Sequence, residues 1–281
     1  MAGLLYLVGT PIGNLGDMSP RALETLESAD FIAAEDTRVT LKLMNHFGIR
    51  KPLVSYYEHN RASSGERIAA RLEAGETCAL VTDAGMPAIS DPGEDLVRLC
   101  RSRGIEVRVV PGPSSVVSAV ALSGLPTGRF TFEGFLSVTK KSRFEHLNSL
   151  KSETRTMVFL EAPHKLKATL ADMLTVFGDR EISLSRELTK IHEETLSLTL
   201  SRACEIYEKQ SPRGEYVLCV RGAEPGSETV PDPEEAVKAI VALRKEGLSL
   251  KEASRRISEK TGISRKVLYD AVLERQEADE P

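Results

Sequence analysis

Five loops in this sequence, three of them rich in Gly and Pro, each follow an apolar run and precede an amphipathic stretch. They are LVGTPIGNLGD (7–17), AAEDTR (33–38), TDAGMPAISDPG (82–93), VPGPSS (110–115) and EAPHKL (161–166). In an open α/β sheet such strand-to-helix turns line one crevice, where ligands bind. Gly9, Gly13 and Gly16 do not make a G-x-G-x-x-G fingerprint, and Pro11 removes an N–H that a pyrophosphate would need. No G-x-x-x-x-G-K-[ST] occurs either. Taken singly, each loop reads equally well as turn chemistry. Together they predict a cleft shaped by Gly and Pro, with few positive charges near the glycines, suited to a ligand without phosphates.

Other chemistries find less support. His192 opens HEETL, which lacks the second histidine of H-E-x-x-H, and the remaining histidines are scattered, so no metal site is expected. Cys78, Cys100, Cys204 and Cys219 form no C-x-x-C pair and read as reduced core residues of a cytoplasmic protein. With 281 residues, 41% apolar and 28% charged, the chain has room for two domains with real cores. Its net charge of -4 argues against indiscriminate coating of nucleic acid, although local basic patches remain possible. No run approaches membrane-span length, and no cleavable leader is expected.

Short apolar runs at 4–8, 31–34, 78–82 and 107–110, with helices between, predict a mostly parallel sheet covered by helices. SGLPTGR (123–129) breaks the pattern. A second α/β unit follows, with strands at 130–132, 157–160, 182–185, 196–200 and 216–220 and a helix near 166–176. Several of these strands succeed one another without a helix, which predicts an antiparallel portion. GAEPGSETVPDPEE (222–235) reads as a linker in which Asp232 caps a helix that opens at Pro233. Beyond it, Ser249 with Glu252 forms a capping box, a turn contains Gly262, and another helix starts after Ser264, a helix-turn-helix-like pattern. From Arg244 to Arg275 nine Lys/Arg stand against five Asp/Glu, read either as a solvated face or as a nucleic-acid surface. The expected domains are 1–122, 123–225 and 226–281.

The motifs LVGTPIGNLGD, AAEDTR, DAGMPAISDPG, VPGPSS, FEGFL and EAPHKL, in this order and spacing, closely resemble the small-subunit ribosomal RNA methyltransferases of the tetrapyrrole methylase superfamily. The resemblance spans essentially the whole chain. It implies a two-domain α/β fold with a cofactor cleft between the domains and a small C-terminal helical domain. It also implies S-adenosylmethionine-dependent 2'-O-methylation of a cytidine in 16S rRNA, by a homodimer that acts on RNA or on the small ribosomal subunit. Members often read Phe-Leu-Pro where this chain has Leu136 and Ser137, a departure that touches the path of the next loop and not the cofactor site.

By the same resemblance, Gly9, Thr10 and Pro11 border the cleft, Asp83, Gly85, Ala88 and Ile89 lie along the cofactor, and Ser114 and Ser115 join them. Glycine at 85 would allow close backbone approach. Arg213 and Gly214, in RGEYVL, are expected from the second domain, unless that segment is a plain edge strand. A ribose hydroxyl is a weak nucleophile, so a carboxylate that takes its proton would help. Glu35, Asp36 and Glu161 are the candidates, with helix capping or pairing with Arg38 an equal reading for Glu35. Lys140, Lys141 and Arg143, expected on a flexible loop, would meet RNA phosphates together with Arg38, Lys165, Arg186 and Lys190.

Three rival functions share parts of this pattern. A tetrapyrrole C-methyltransferase would share fold and cofactor, but the basic loop and helical tail favour RNA. A dinucleotide-dependent oxidoreductase lacks its fingerprint. A non-catalytic RNA-binding adaptor would not need so elaborate a cleft.

Overall fold

The computed structural model describes residues 3–224, 233–245, 247–261 and 263–278. Its elements run β1 (Leu4–Val8), α1 (Pro20–Ser28), β2 (Phe31–Ala34), α2 (Thr37–His46), β3 (Leu53–Ser55), α3 (Arg61–Glu73), β4 (Thr77–Val81), α4 (Glu94–Ser102), β5 (Glu106–Val110) and α5 (Ser115–Leu122). They continue with β6 (Phe130–Phe135), α6 (Lys140–Ser149), β7 (Thr156–Glu161), α7 (Pro163–Phe177), β8 (Glu181–Arg186), β9 (Glu194–Thr199), α8 (Leu200–Lys209) and β10 (Tyr216–Val220). Three helices close the chain: α9 (Pro233–Lys245), α10 (Leu250–Thr261) and α11 (Arg265–Ala278). The chain forms two compact units, Met1–Ala223 and Glu224–Pro281.

The first sheet is parallel throughout, in the order β3-β2-β4-β1-β5. All four residues of β2 are buried, as a strand covered on both faces must be. One face packs Leu5, Phe31, Leu80 and Cys78 against Ile68 and Leu72 of α3 and Leu96 and Cys100 of α4. The other packs Val8, Ile32, Ala34 and Val81 against Ala22 and Leu26 of α1 and Met44 of α2. Because every strand of this sheet is parallel to its neighbours, the loops after β1, β2, β4 and β5 emerge at the same sheet end, the geometry of an open-sheet crevice.

The second sheet is mixed, in the order β6-β7-β10-β8-β9, with β6 parallel to β7 and the other pairs antiparallel. Leu166, Leu170 and Met173 of α7 and Leu200 and Ala203 of α8 cover one face. The opposite face, with Val158, Val217 and Cys219, receives Val116, Ala119 and Val120 of α5 together with Ile12 and Leu188. Helix α5 thus joins the two sheets, and the crevice lies beside it.

Within the C-terminal unit, Ala236, Val237, Ile240, Ala253, Ile257, Leu268 and Val272 form a core of their own. The Ser249 hydroxyl accepts the Glu252 amide at 3.3 Å, one half of the expected capping box. Asp232 and Gly262 lie outside the described residues. Cys78, Cys100 and Cys219 are buried, Cys204 is partly buried, and all four are free thiols. Among the described residues no helix is long and apolar enough to cross a membrane.

Candidate active site

A cleft of about 370 Å³ opens where the two sheets meet, of the size small-molecule sites take. Its walls come from the loops after β2 (Glu35), β4 (Asp83–Met86, Ile89–Asp91) and β5 (Ser114, Ser115), and from the second sheet (Phe135, Leu160, Glu161, Ser185, Glu187, Leu188, Lys190 and Glu215–Val217). Ile12, Met86, Ile89, Val116, Leu160 and Val217 supply its apolar surface.

The loops are tied by their own backbone. Thr10 and Gly85 bond each other in both directions, N to O at 2.9 Å and 3.1 Å, and the Thr10 hydroxyl donates to Thr82 O at 3.1 Å. A side chain on Gly9 would stand 2.7 Å from Gly112 Cα, so its missing Cβ lets the β1 and β5 loops touch. Gly9, Thr10 and Pro11 therefore lie behind the cleft wall, and Ile12 is the residue of that loop which reaches it. Gly85 adopts φ +82°, where an added Cβ would meet nothing nearer than Ile12 Cγ2 at 3.4 Å. Conformation, more than crowding, requires glycine there.

Among the described residues four non-glycine residues hold left-handed backbone: Ala88 (φ 67°) and Ser90 (φ 63°) flank Ile89, while Glu187 (φ 50°) and Thr189 (φ 66°) flank Leu188. Each such residue is strained by about 1–2 kcal/mol, and such strain gathers at functional sites. Here it presents Ile89 and Leu188 to the cleft, whereas Ala88 stays out of the wall.

Of the three expected carboxylates, one keeps its freedom. The Asp36 side chain caps α2 through the Arg38 amide at 2.8 Å and binds the Arg38 guanidinium at 2.6 Å, which holds its carboxyl down at about 2. Asp36 is not part of the cleft wall, and capping and ion pairing fall to it and not to Glu35. Glu161 lines the cleft but is only 2% exposed. Its carboxylate accepts from the Ala162 amide at 2.9 Å, Lys165 Nζ at 2.9 Å and Thr169 Oγ1 at 2.5 Å. Among the described residues Glu35 accepts only the Asp83 amide, at 3.5 Å, while the Asp83 carboxylate accepts the Asp36 amide at 3.1 Å. Burial, and then the Asp83 charge, push the Glu35 carboxyl up.

Asp91, a residue the sequence reading passed over, completes this group. Burial first, then the charges of Glu35, Asp83 and Glu215, raise its carboxyl to about 6. Its place at the end of PAISD gave no signal beyond turn chemistry; its environment comes from Asp83 of its own loop and from two distant segments, which carry Glu35 and Glu215.

The expected RNA-contacting cations divide similarly. Lys140 and Lys141 are exposed in the first turn of α6, so the segment is helical and not a flexible loop. Arg143 is buried, which corrects its expected role as a phosphate contact. Its Nε donates to Asp172 Oδ2 at 2.7 Å, and its Nη1 to Ser137 O at 3.0 Å and Val138 O at 3.1 Å. Lys165, besides pairing with Glu161, reaches Leu136 O at 3.4 Å. Arg186 pairs with Glu194, Lys190 pairs with Glu187 at the cleft wall, and Arg38 is exposed beside Asp36. Arg213 and Gly214 do not line the cleft; Gly214 packs on Glu187, and the following Glu215, Tyr216 and Val217 are the wall.

Charge defines the ligand this cleft fits. Glu35, Asp83, Asp91 and Glu215 have no ion-pair partner among the described residues, and Lys190, the one cation of the wall, is matched by Glu187. Such a surface repels a polyphosphate and suits a cationic group beside apolar surface, as in the sulfonium and adenosine of S-adenosylmethionine. Among the described residues no group of three or more His, Cys, Asp and Glu side chains could hold a metal ion.

The family model for Tetrapyrrole (Corrin/Porphyrin) Methylases matches residues 4–204, and that for the RsmI C-terminal HTH domain matches residues 230–276. A ribosomal RNA small subunit methyltransferase I of Synechocystis sp. is 47% identical over 97% of this chain and 98% of its own. One of Thermotoga maritima is 49% identical over 222 residues, 79% of this chain and 100% of its own length. Among solved structures, uroporphyrin-III C-methyltransferase from Thermus thermophilus, complexed with S-adenyl homocysteine, superposes with a TM-score of 0.56. It is 19% identical and covers 78% of this chain and 97% of its own.

Proposed function

From the premise that the chain belongs to the ribosomal RNA small subunit methyltransferase I family, within the tetrapyrrole methylases, we propose that it 2'-O-methylates a cytidine of 16S rRNA. The observation that carries the reading is the unpaired acidic cleft with apolar walls, held by strained loops between the two sheets. When bound, S-adenosylmethionine supplies an activated methyl group on a sulfonium whose departure needs no acid. The chain's part is to hold donor and hydroxyl in line, exclude water and take the proton.

Asp83, Gly85, Ile89, Ser114 and Ser115 are the cofactor-side residues in this reading, now joined by Ile12, Met86 and Val217. Glu35, the expected carboxylate with the fewest hydrogen bonds, takes the proton, with Asp91 beside it as the second candidate. Lys140 and Lys141, exposed in the first turn of α6, supply positive charge on the second-sheet side, whereas Lys190 and Arg38 are matched by Glu187 and Asp36. The tetrapyrrole alternative rests on fold alone, since the solved C-methyltransferase is 19% identical whereas the rRNA-methylase relatives are far more similar.

A cytoplasmic homodimer fits this reading. Val109 of β5, Val117 and Leu122 of α5, and Phe130 and Phe132 of β6 are exposed apolar side chains on three consecutive elements, a surface for a second copy. Mapping 2'-O-methylation in rRNA from cells with and without the gene tests the reaction. Methyl transfer to naked 16S rRNA and to isolated small subunits then separates the two substrates. An unchanged 2'-O-methylation map, with no transfer to either, overturns the reading.

A further inference from the structure

Phe135 is 55% exposed, yet it sits in the cleft wall at the end of a paired strand. Its direction is set by an irregularity in β6. Phe130 pairs with Thr156, Thr131 with Met157 and Phe132 with Val158; the register then shifts, so that Gly134 meets Phe159 and Phe135 meets Leu160. In strict alternation Phe135 would point to the face opposite Phe132, toward the core that holds Met157 and Phe159. The bulge returns it to the face of Val158 and Leu160, beside the cleft, the re-aiming that bulges near active sites perform.

The next three residues are clamped. Lys165 reaches Leu136 O, and Arg143 reaches the carbonyls of Ser137 and Val138 while anchored on buried Asp172. Lys165 Nζ also lies 5.6 Å from the Phe135 ring centroid. An exposed aromatic ring is thus fixed on its backbone by one buried cation, Arg143, and one partly buried cation, Lys165, within a cleft that also contains Glu35 and Asp91.

We propose that Phe135 is the platform on which the base of the target nucleotide stacks. The proposal rests on the RNA reading above. Single-stranded nucleotides are captured by aromatic side chains in this way, and a ring already held in place loses little entropy on binding. The base hangs from the sugar carbon next to the one that bears the 2'-hydroxyl, so a fixed base plane limits where that hydroxyl can point. Phe135 is therefore a positioning residue for the nucleophile, and no group on its ring takes part in bond making.

The test is a double-mutant cycle on the full chain, Phe135→Leu against removal of the base at the mapped nucleotide. Phe135→Leu keeps apolar bulk and removes the aromatic face. It should weaken binding of intact RNA about tenfold. It should bind the abasic RNA as the wild type does, leave S-adenosylmethionine affinity unchanged, and be rescued by Phe135→Tyr. Equal losses on intact and abasic RNA, or wild-type binding by Phe135→Leu, overturn the proposal. So does a change of oligomeric state in light scattering, which would assign the ring to a subunit contact. Absence of methyl transfer by the wild type is a different result, and it strikes the RNA reading itself.

Discussion

Glu35 and Asp36 are adjacent in sequence, and their carboxylates meet different partners: Asp36 grips the Arg38 guanidinium and amide, whereas Glu35 faces the cleft and, among the described residues, accepts only the Asp83 amide. Glu35→Gln should therefore lower turnover at saturating RNA and cofactor by about 10²-fold, roughly 3 kcal/mol of transition-state stabilisation. Asp36→Ala should lower the melting temperature and leave the single-turnover rate of the folded enzyme near normal. A full rate in Glu35→Gln would transfer the proton-accepting role to Asp91.

Asp91 gives a pH dependence whose sign is fixed. Its folded value of about 6 lies above that of an unfolded aspartate, so its favourable contribution is complete below the ordinary carboxylate range and is lost as pH rises through about 6. Asp91→Asn should raise the stability of the ligand-free protein at pH 7 by roughly 1–2 kcal/mol after discounting for solvent screening, with the gain shrinking to a few tenths near pH 4 and vanishing below about pH 3. Urea unfolding at the two pH values measures this. S-Adenosylmethionine affinity should climb from pH 5 to pH 7 as the carboxyl ionises. A flat profile would remove Asp91 from the cofactor's electrostatic environment.

The lysines and the arginine of α6 should separate cleanly. Lys140→Ala with Lys141→Ala should reduce the slope of log affinity for RNA against log salt by about two, with little effect on folding. Arg143→Met leaves Asp172 buried without its partner and should cost about 3 kcal/mol of stability. Salt titration and denaturant unfolding distinguish the two effects; a loss of salt slope in Arg143→Met alone would restore it as a phosphate contact.

Gly85→Ala tests the loop that carries Asp83 and Met86. Forcing a side chain to φ +82° should cost about 1–2 kcal/mol and disturb the paired backbone hydrogen bonds with Thr10, so cofactor affinity should fall severalfold in calorimetry. Wild-type affinity in a folded variant would place the cofactor elsewhere.

A chain ending at Ala223 should keep its fold and its S-adenosylmethionine affinity. The Thermotoga maritima relative is matched over its whole length by 222 residues, about the size of that unit alone. Loss of cofactor binding on truncation would make the helical unit part of the site.

The sequence by itself determined the elements, because burial and capping are written locally. Phe31–Ala34 and Tyr216–Val220 are apolar throughout since both faces of each strand are covered, and such runs announce themselves. Leu53–Ser55 escaped notice: it is a three-residue edge strand with no fully buried position, and its pattern is too short to stand out. The strand-end loops were equally legible, since Gly, Pro and Asp mark turns wherever they stand. The tertiary structure decided what each charged residue does. Arg143 looks like its lysine neighbours until Asp172, 29 residues away on α7, comes to lie against it. Asp91 is an ordinary loop aspartate until Glu35 and Glu215, one from each sheet's side, join Asp83 of its own loop around it. Charge–charge energy and desolvation depend on distance and burial in space, and neighbours along the chain carry no record of either.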